Sequence, residues 1–169
     1  MADQAGQPGQ EDPQRSRPRM PEDYRVPQSD EGMLQWSRVR KLLEEARTYW
    51  ISTTGPDGKP HAVPVWGAWV LDRFYCDGHP QTRWARNLDS HNPAIVVHIE
   101  SEGIAIMVEG VSEDTKPDAE MARLIEESFE ARYNYKPDIA RGIYNIRPIV
   151  AFAWDESLQA ATRWQFTGS

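Results

Sequence analysis

The chain has 169 residues, 39% of them hydrophobic, and sets 19 Lys and Arg against 26 Asp and Glu. A formal charge of −7 and a mean hydropathy of −0.70 exclude the diffuse basic field of a nucleic-acid binder, so any anion site must be local. A single cysteine, Cys76, excludes an intrachain disulfide framework and fits a reducing compartment. No apolar run follows Arg15, Arg17 and Arg19 to make a signal peptide, and no stretch of ~18 apolar residues is present to span a membrane. Together these point to a cytoplasmic protein.

Residues 1–30 hold Pro8, Pro13, Pro18, Pro21 and Pro27 among polar residues and few large apolar side chains. Such a segment cannot offset its own ordering entropy, which predicts a disordered tail ahead of one folded domain over 31–169. The first ordered element expected is a helix over 31–47. Trp36, Val39, Leu43 and Ala46 recur at helical spacing, with Ser29 or Asp30 as N-cap. Tyr49–Thr54 reads as a strand, Gly55-Pro56-Asp57-Gly58 as a turn, and 61–70 as a second strand. Pro64 lies in that strand and Pro60 just before it. Neither can donate to a ladder, so the strand belongs at an edge, either open to a planar ligand or simply protected from aggregation.

Leu71-Asp72-Arg73 turns the chain into a short strand over 74–76. A basic helix follows His79-Pro80, then strands over 94–100 and 104–111 joined at Glu102-Gly103. A second amphipathic helix covers 117–133, with Met121, Leu124, Ile125, Phe129 and Tyr133 as its apolar stripe. Two last strands run over 143–154 and 162–166. Many short strands at hairpin spacing with few helices predict a mainly β protein: a β-barrel with flanking helices and six to seven antiparallel strands.

The basic helix carries Thr82-Arg83-Trp84-Ala85-Arg86-Asn87-Leu88. Thr82 is placed to cap it. The first free N–H groups and the helix dipole favour an anion there, and Arg83 can fork onto a phosphate. Arg86 and Asn87 stand at i+3 and i+4 from Arg83 and share its face. The same spacing also fits a solvated face paired with Asp89 and other acids.

Among the remaining residues, no Ser-His-acid set, paired carboxylates or zinc-like histidine spacing stands out, so no metal site is expected. His98, in an apolar strand, reads as structural. Cys76 reads as a small buried hydrophobe. Trp50, Trp69 and Trp154 are expected to fill the barrel or an interface.

The chain resembles the pyridoxamine-phosphate-oxidase-like split barrels, a superfamily of flavin and deazaflavin binders. The resemblance spans about 40–166. It rests on Thr53-Thr54, Gly58-Lys59-Pro60-His61-Ala62-Val63-Pro64-Val65-Trp66, the Thr82–Leu88 helix, Asn92-Pro93, Glu109-Gly110 and Thr162-Arg163-Trp164-(x)-Phe166. It implies a homodimer holding FMN or the deazaflavin coenzyme F420 across its interface, and flavin-type oxidoreductase activity on a small unsaturated or aromatic substrate. By resemblance, His61, Val63, Pro64, Val65 and Trp66 line the ring and phosphate side of the pocket. Thr82 and Arg83, with Arg86 and Asn87 beside them, hold the phosphate, while Arg163 and Trp164 approach from the partner chain.

In this chain Trp84 stands where relatives often have a phosphate-binding Lys. His61 and Trp66 stand where the vitamin B6 oxidases carry basic residues, which argues against pyridoxamine-phosphate oxidation. No catalytic acid or base is evident, and Tyr133 is a candidate proton source. The superfamily leaves two alternatives: a non-catalytic cofactor carrier or sensor, and a haem-binding or haem-degrading protein using His79 or His91 as axial ligand.

Overall fold

The structure is a computed structural model that describes residues 12–167. Its strands are β1 (Gln14–Ser16), β2 (Tyr49–Thr54), β3 (Pro60–Val65), β4 (Gly67–Val70), β5 (Arg73–Cys76), β6 (Ala94–Ser101), β7 (Ile104–Glu113), β8 (Tyr144–Asp155) and β9 (Thr162–Gln165). Three α-helices intervene: α1 (Trp36–Glu45), α2 (Arg83–Ser90) and α3 (Ala119–Tyr133). None of the described helices is long and apolar enough to cross a membrane.

All strand pairs are antiparallel, in the order β1-β9-β8-β7-β6-β2-β3. The sheet forks at β8. Residues Tyr144–Ile146 pair with β5, and Val150–Ala153 pair with β9. β3 and β4 are one strand broken at Trp66: the first half pairs with β2, the second with β5. The circuit β2–β3/β4–β5–β8–β7–β6 therefore closes through a covalent link rather than a ladder. This is a split β-barrel.

Two hairpins close on two-residue loops with positive φ at both positions, Leu71-Asp72 (45° and 54°) and Glu102-Gly103 (52° and 73°). That geometry matches strand twist but disfavours side chains. At Asp72 the unfavourable φ is offset by buried bonds. Its carboxylate accepts from Arg40 Nε at 2.9 Å and Nη2 at 3.0 Å, and from the indole N–H of Trp36 (3.2 Å) and Trp69 (3.4 Å). One carboxylate thus ties α1 to the β4–β5 hairpin over a core of Trp36, Trp69, Trp164, Tyr49, Ile51 and Phe74.

The helices begin later than expected. α1 starts at Trp36 behind an extended Gln35, and Ser29 and Asp30 cap nothing. In α3 the N-cap is Asp118, whose side chain accepts from Met121 N at 2.8 Å, leaving Pro117 outside.

The expected disordered tail over 1–30 needs correction for 12–30; residues 1–11 lie outside the described residues. β1 pairs with β9, and Val26 is buried. Arg17 donates to four backbone carbonyls, those of Ser29, Glu31, Gln159 and Ala161, at 2.6–2.9 Å. A guanidinium and a backbone ladder hold this segment, so hydrophobic content did not reveal it.

The tryptophans are also redistributed. Trp69 lies in the core, as expected. Trp50 is 44% exposed and Trp154 half-buried, because Tyr49, Ile51 and Thr53 take the inward positions of β2, and Ala151 and Ala153 those of β8. Cys76 is buried, and burial pushes its thiol well above the ordinary range.

Asp72→Ala would leave Arg40 and two indole donors without their acceptor. It is expected to cost about 3 kcal/mol of stability, read as a lower urea midpoint with an unchanged slope.

Candidate functional site

The edge position that Pro60 and Pro64 require is what β3 occupies: it pairs with β2 and no other strand. Beyond the strand end, Gly55 N–H donates to Lys59 O at 3.1 Å. Hydrogen-bonded pairs therefore continue at Thr53–His61, Ile51–Val63 and Tyr49–Val65. The backbone groups of residues 60, 62 and 64 must then face the open edge. Because two of the three are proline, that edge presents three carbonyls and a single N–H, from Ala62. A further protein strand would find too few donors. A planar ligand with one acceptor beside its donors would be matched.

Side chains on β3 alternate. His61, Val63 and Val65 are half-buried, the two valines packing on the core, while Ala62 and Pro64 are exposed. Trp66 is exposed at the break between β3 and β4.

α2 packs on β2 and β3. Asn87, expected to share a face with Arg83, instead turns inward: it is 4% exposed and donates to the hydroxyl of buried Thr53 at 3.0 Å. It fixes the helix to the barrel. Trp84 and Leu88 are buried, as the opposite-face reading requires, with Trp84 edge-on to Tyr144. Arg83 and Arg86 are exposed, and Arg86 donates to the carbonyl of Gln81.

The N-terminus of α2 is uncapped. Thr82 is the N-cap residue, but its side chain makes no capping bond. Its Oγ1 is buried and is the one such side-chain atom without a hydrogen-bond partner among the described residues. Leaving a buried hydroxyl unpaired costs about 1–3 kcal/mol.

Arg83 follows directly and makes no hydrogen bond or ion pair among the described residues. Its charge, after the larger effect of the Lys59 hydrogen bond, helps hold the Asp57 carboxyl below its usual range. α2 itself packs on β2 and β3, the strands that the Asp57 turn joins. Lys59, in the same turn, is paired with Asp57 at 2.8 Å. The sequence pattern gave Lys59 no role, since a lone lysine in a turn is ordinary.

Not every expected residue joins this cluster. Arg163 and Trp164 sit on β9, with four strands between it and β3 in the sheet order. Trp164 is 1% exposed and packed against Trp36 at 5.4 Å, which removes it as a pocket wall. Alternation on β9 turns Arg163 outward instead, beside Gln165. Tyr133 is corrected as a proton source: its hydroxyl donates to Gly67 O at 2.9 Å and accepts from Gly67 N–H at 3.2 Å.

The four histidines occupy separate places: β3, the β5–α2 loop, the end of α2, and β6. His79 accepts from Gln81 N–H, and His98 stacks on Trp50 at 6.4 Å and 12°. No group of three or more metal-ligating side chains occurs among the described residues.

Two grooves accompany these elements. One of about 310 Å³ lies on the outer face of β2, β6 and β7, bordered by Ser52, Thr54, Pro60, Val96, Glu109 and Ile149. It reaches the start of β3. Gly110 in its floor has no room for a side chain, since a Cβ would stand 2.5 Å from Arg147 O, at a bulge between β7 and β8. The other, about 480 Å³, lies past the C-terminal half of α2. Asp89, Glu113 and Asp114 line it. Hydrogen bonds from Arg73 above all, and from Arg147, hold Glu113 below the usual carboxylate range. Its anionic walls do not suit a phosphate.

The fold is a split barrel with an uncapped helix end and a proline-bearing edge strand. The family model for pyridoxamine 5'-phosphate oxidase matches residues 36–155, and the chain belongs to that family. Several solved structures share the fold. An F420 reductase is 22% identical, with a TM-score of 0.53 over 66% of this chain and 94% of the other. The conserved hypothetical protein Rv2991 from Mycobacterium tuberculosis is 19% identical, with a TM-score of 0.59 over 79% and 92%. HutZ, the heme storage protein from Vibrio cholerae, is 16% identical, with a TM-score of 0.51 over 66% and 88%. No curated protein matches the chain.

Because the Thr82 hydroxyl has no partner to lose, Thr82→Val is expected to leave the melting temperature of the ligand-free protein unchanged or slightly higher. A drop of several degrees, measured by calorimetry, would show that the hydroxyl is satisfied within the chain.

Proposed function

We propose that the protein is a homodimeric oxidoreductase that holds FMN or the deazaflavin coenzyme F420 between two copies. The observation that carries this is the buried, unpartnered Thr82 hydroxyl at the N-terminus of α2, beside Arg83. A phosphate oxygen there accepts from Thr82 and the first-turn N–H groups, and Arg83 adds a charge-assisted bond. The site is electrically local, as the acidic chain demands.

α2 packs on β3, whose open edge offers a flat backbone surface beside that phosphate. Its donor and acceptors suit the hydrogen-bonding edge of a ring system, with Pro64 supplying apolar contact. When bound, the cofactor supplies hydride or electron transfer, and the protein binds, orients and excludes water. Asn87 supports this site without touching the ligand. With Tyr133 engaged by Gly67, no side chain of one copy is assigned a proton.

The second copy has two supports. The outer face of β2, β6, β7 and β8 carries Trp50, Val96, Met107, Ile149, Phe152 and Trp154, an apolar surface that no helix covers. Arg163 points outward on a distant strand, so it reaches a β3 site as Arg163 of the partner subunit. Trp66 offers no cation to a second phosphate, so the substrate is a small unsaturated or aromatic molecule rather than a pyridoxine phosphate. The candidate axial histidines His79 and His91 lie away from β3, and His79 already accepts from Gln81 N–H, although the fold neighbour HutZ is a heme storage protein.

The test is titration of the full chain with FMN, oxidised F420 and haem in parallel. One flavin-type cofactor should bind at micromolar or tighter affinity. Arg83→Ala should weaken it about ten- to a hundredfold through loss of one charge-assisted bond. Unchanged affinity in Arg83→Ala would remove the phosphate site. Binding of haem alone would overturn the flavin reading. Tight binding with no turnover on any acceptor would favour a carrier.

A further inference from the structure

Trp66 sits where the long strand breaks, and 53% of its surface is open. One face of its indole is covered by Tyr133, stacked at 4.9 Å and 8°. The indole remains open to solvent over the rest of its surface. Tyr135 leans beside it at 6.0 Å and 56°, forming a corner, and its hydroxyl donates to Asp77 at 2.6 Å. The backbone under the indole is fixed as well, because the Tyr133 hydroxyl bonds both polar groups of Gly67. An aromatic side chain held this way has little conformational freedom left to lose when a ligand covers it.

We infer that Trp66 and Tyr135 form the substrate shelf, that it takes a planar conjugated ring without negative charge, and that Tyr133 is its positioning residue. The inference rests on the reading that a flavin-type ring lies along β3, since Trp66 directly follows that strand. A flat ring lies face to face on an indole over its whole area, whereas a puckered ring touches it through a few hydrogens. The Asp77 carboxylate at the corner repels an anion and tolerates a neutral or cationic ring. The shelf also explains why an apolar residue stands at this position: it selects by shape where a cation would select by charge.

The experiment compares 2-naphthol with trans-decahydro-2-naphthol, which share a carbon skeleton and a hydroxyl and differ in planarity. Binding is measured by calorimetry on the full chain, first without cofactor and then saturated with whichever cofactor binds. Wild type is expected to prefer the planar alcohol about tenfold. Trp66→Ala should abolish the preference. Tyr133→Phe keeps the stacked ring but frees Gly67, and should reduce the preference about threefold; a purely structural Tyr133 would lower the melting temperature and leave the ratio unmoved. In the saturated protein, 2-naphthol should also perturb the cofactor's absorbance.

Equal binding of the two alcohols by wild type, or an undiminished preference in Trp66→Ala, would overturn the shelf. A preference with no effect on cofactor absorbance would overturn its role as the substrate site. The ligand-free measurement separates this inference from the cofactor reading. A chain that shows the preference but binds no flavin-type cofactor would overturn that reading alone.

Discussion

The break at Trp66–Gly67 is the constraint on which the rest of this molecule depends. A continuous strand there would have to pair with β2 and β5 along its whole length, and could not. By kinking, the chain hands its first half to one neighbour and its second half to another, and the barrel closes without a final ladder. Gly67 is obligatory at the kink: a Cβ would stand 2.4 Å from the Phe74 ring. The backbone groups exposed by the kink are bonded by Tyr133 from α3, so a helix outside the barrel finishes the closure. The same kink leaves β3 as a free edge and turns the indole of Trp66 outward. Closure, edge and aromatic surface follow from one local event.

Around that event the charges are divided by depth. Asp72 is buried and bonded on both oxygens, and it sets the position of α1 and the β4–β5 hairpin. Arg17 and Arg132 are likewise directed at backbone carbonyls; Arg132 donates to that of Glu44 at the end of α1. These cations bond to the protein's own framework. Arg83 differs in lying exposed beside an uncapped helix end.

Much of the fold was legible in the sequence because it rests on patterns of period two or near four. The β6–β7 hairpin, α3 and the edge character of β3 came from alternation, a helical stripe and two prolines. The losses have physical causes. Residue size leaves Trp50 and Trp154 to either the barrel or an interface; parity on the strand decides, and with Ile51 and Ala153 in the inward places both face out. Asn87 looked like part of a polar face because helical spacing does not show that Thr53 waits beneath it. Residues 12–30 looked unfoldable because composition measures apolar burial, whereas this segment is held by a guanidinium and by backbone pairing. Of the candidate site, Thr82 and Arg83 were legible as a helix start. The orphaned hydroxyl and the engagement of Tyr133 required the packed structure.

The pairing of β1 with β9 carries a further, kinetic consequence. Ser16 faces Arg163 across that ladder, and Arg17 bonds to Gln159 and Ala161. Nearly the whole chain therefore lies between the two halves of this contact. During synthesis the early segment emerges long before its partners, and it must stay unpaired until the last strand has left the ribosome. Contacts so distant in sequence form late and slowly. The central hairpins have nearby partners, so their contacts close over far shorter loops than the β1–β9 ladder does.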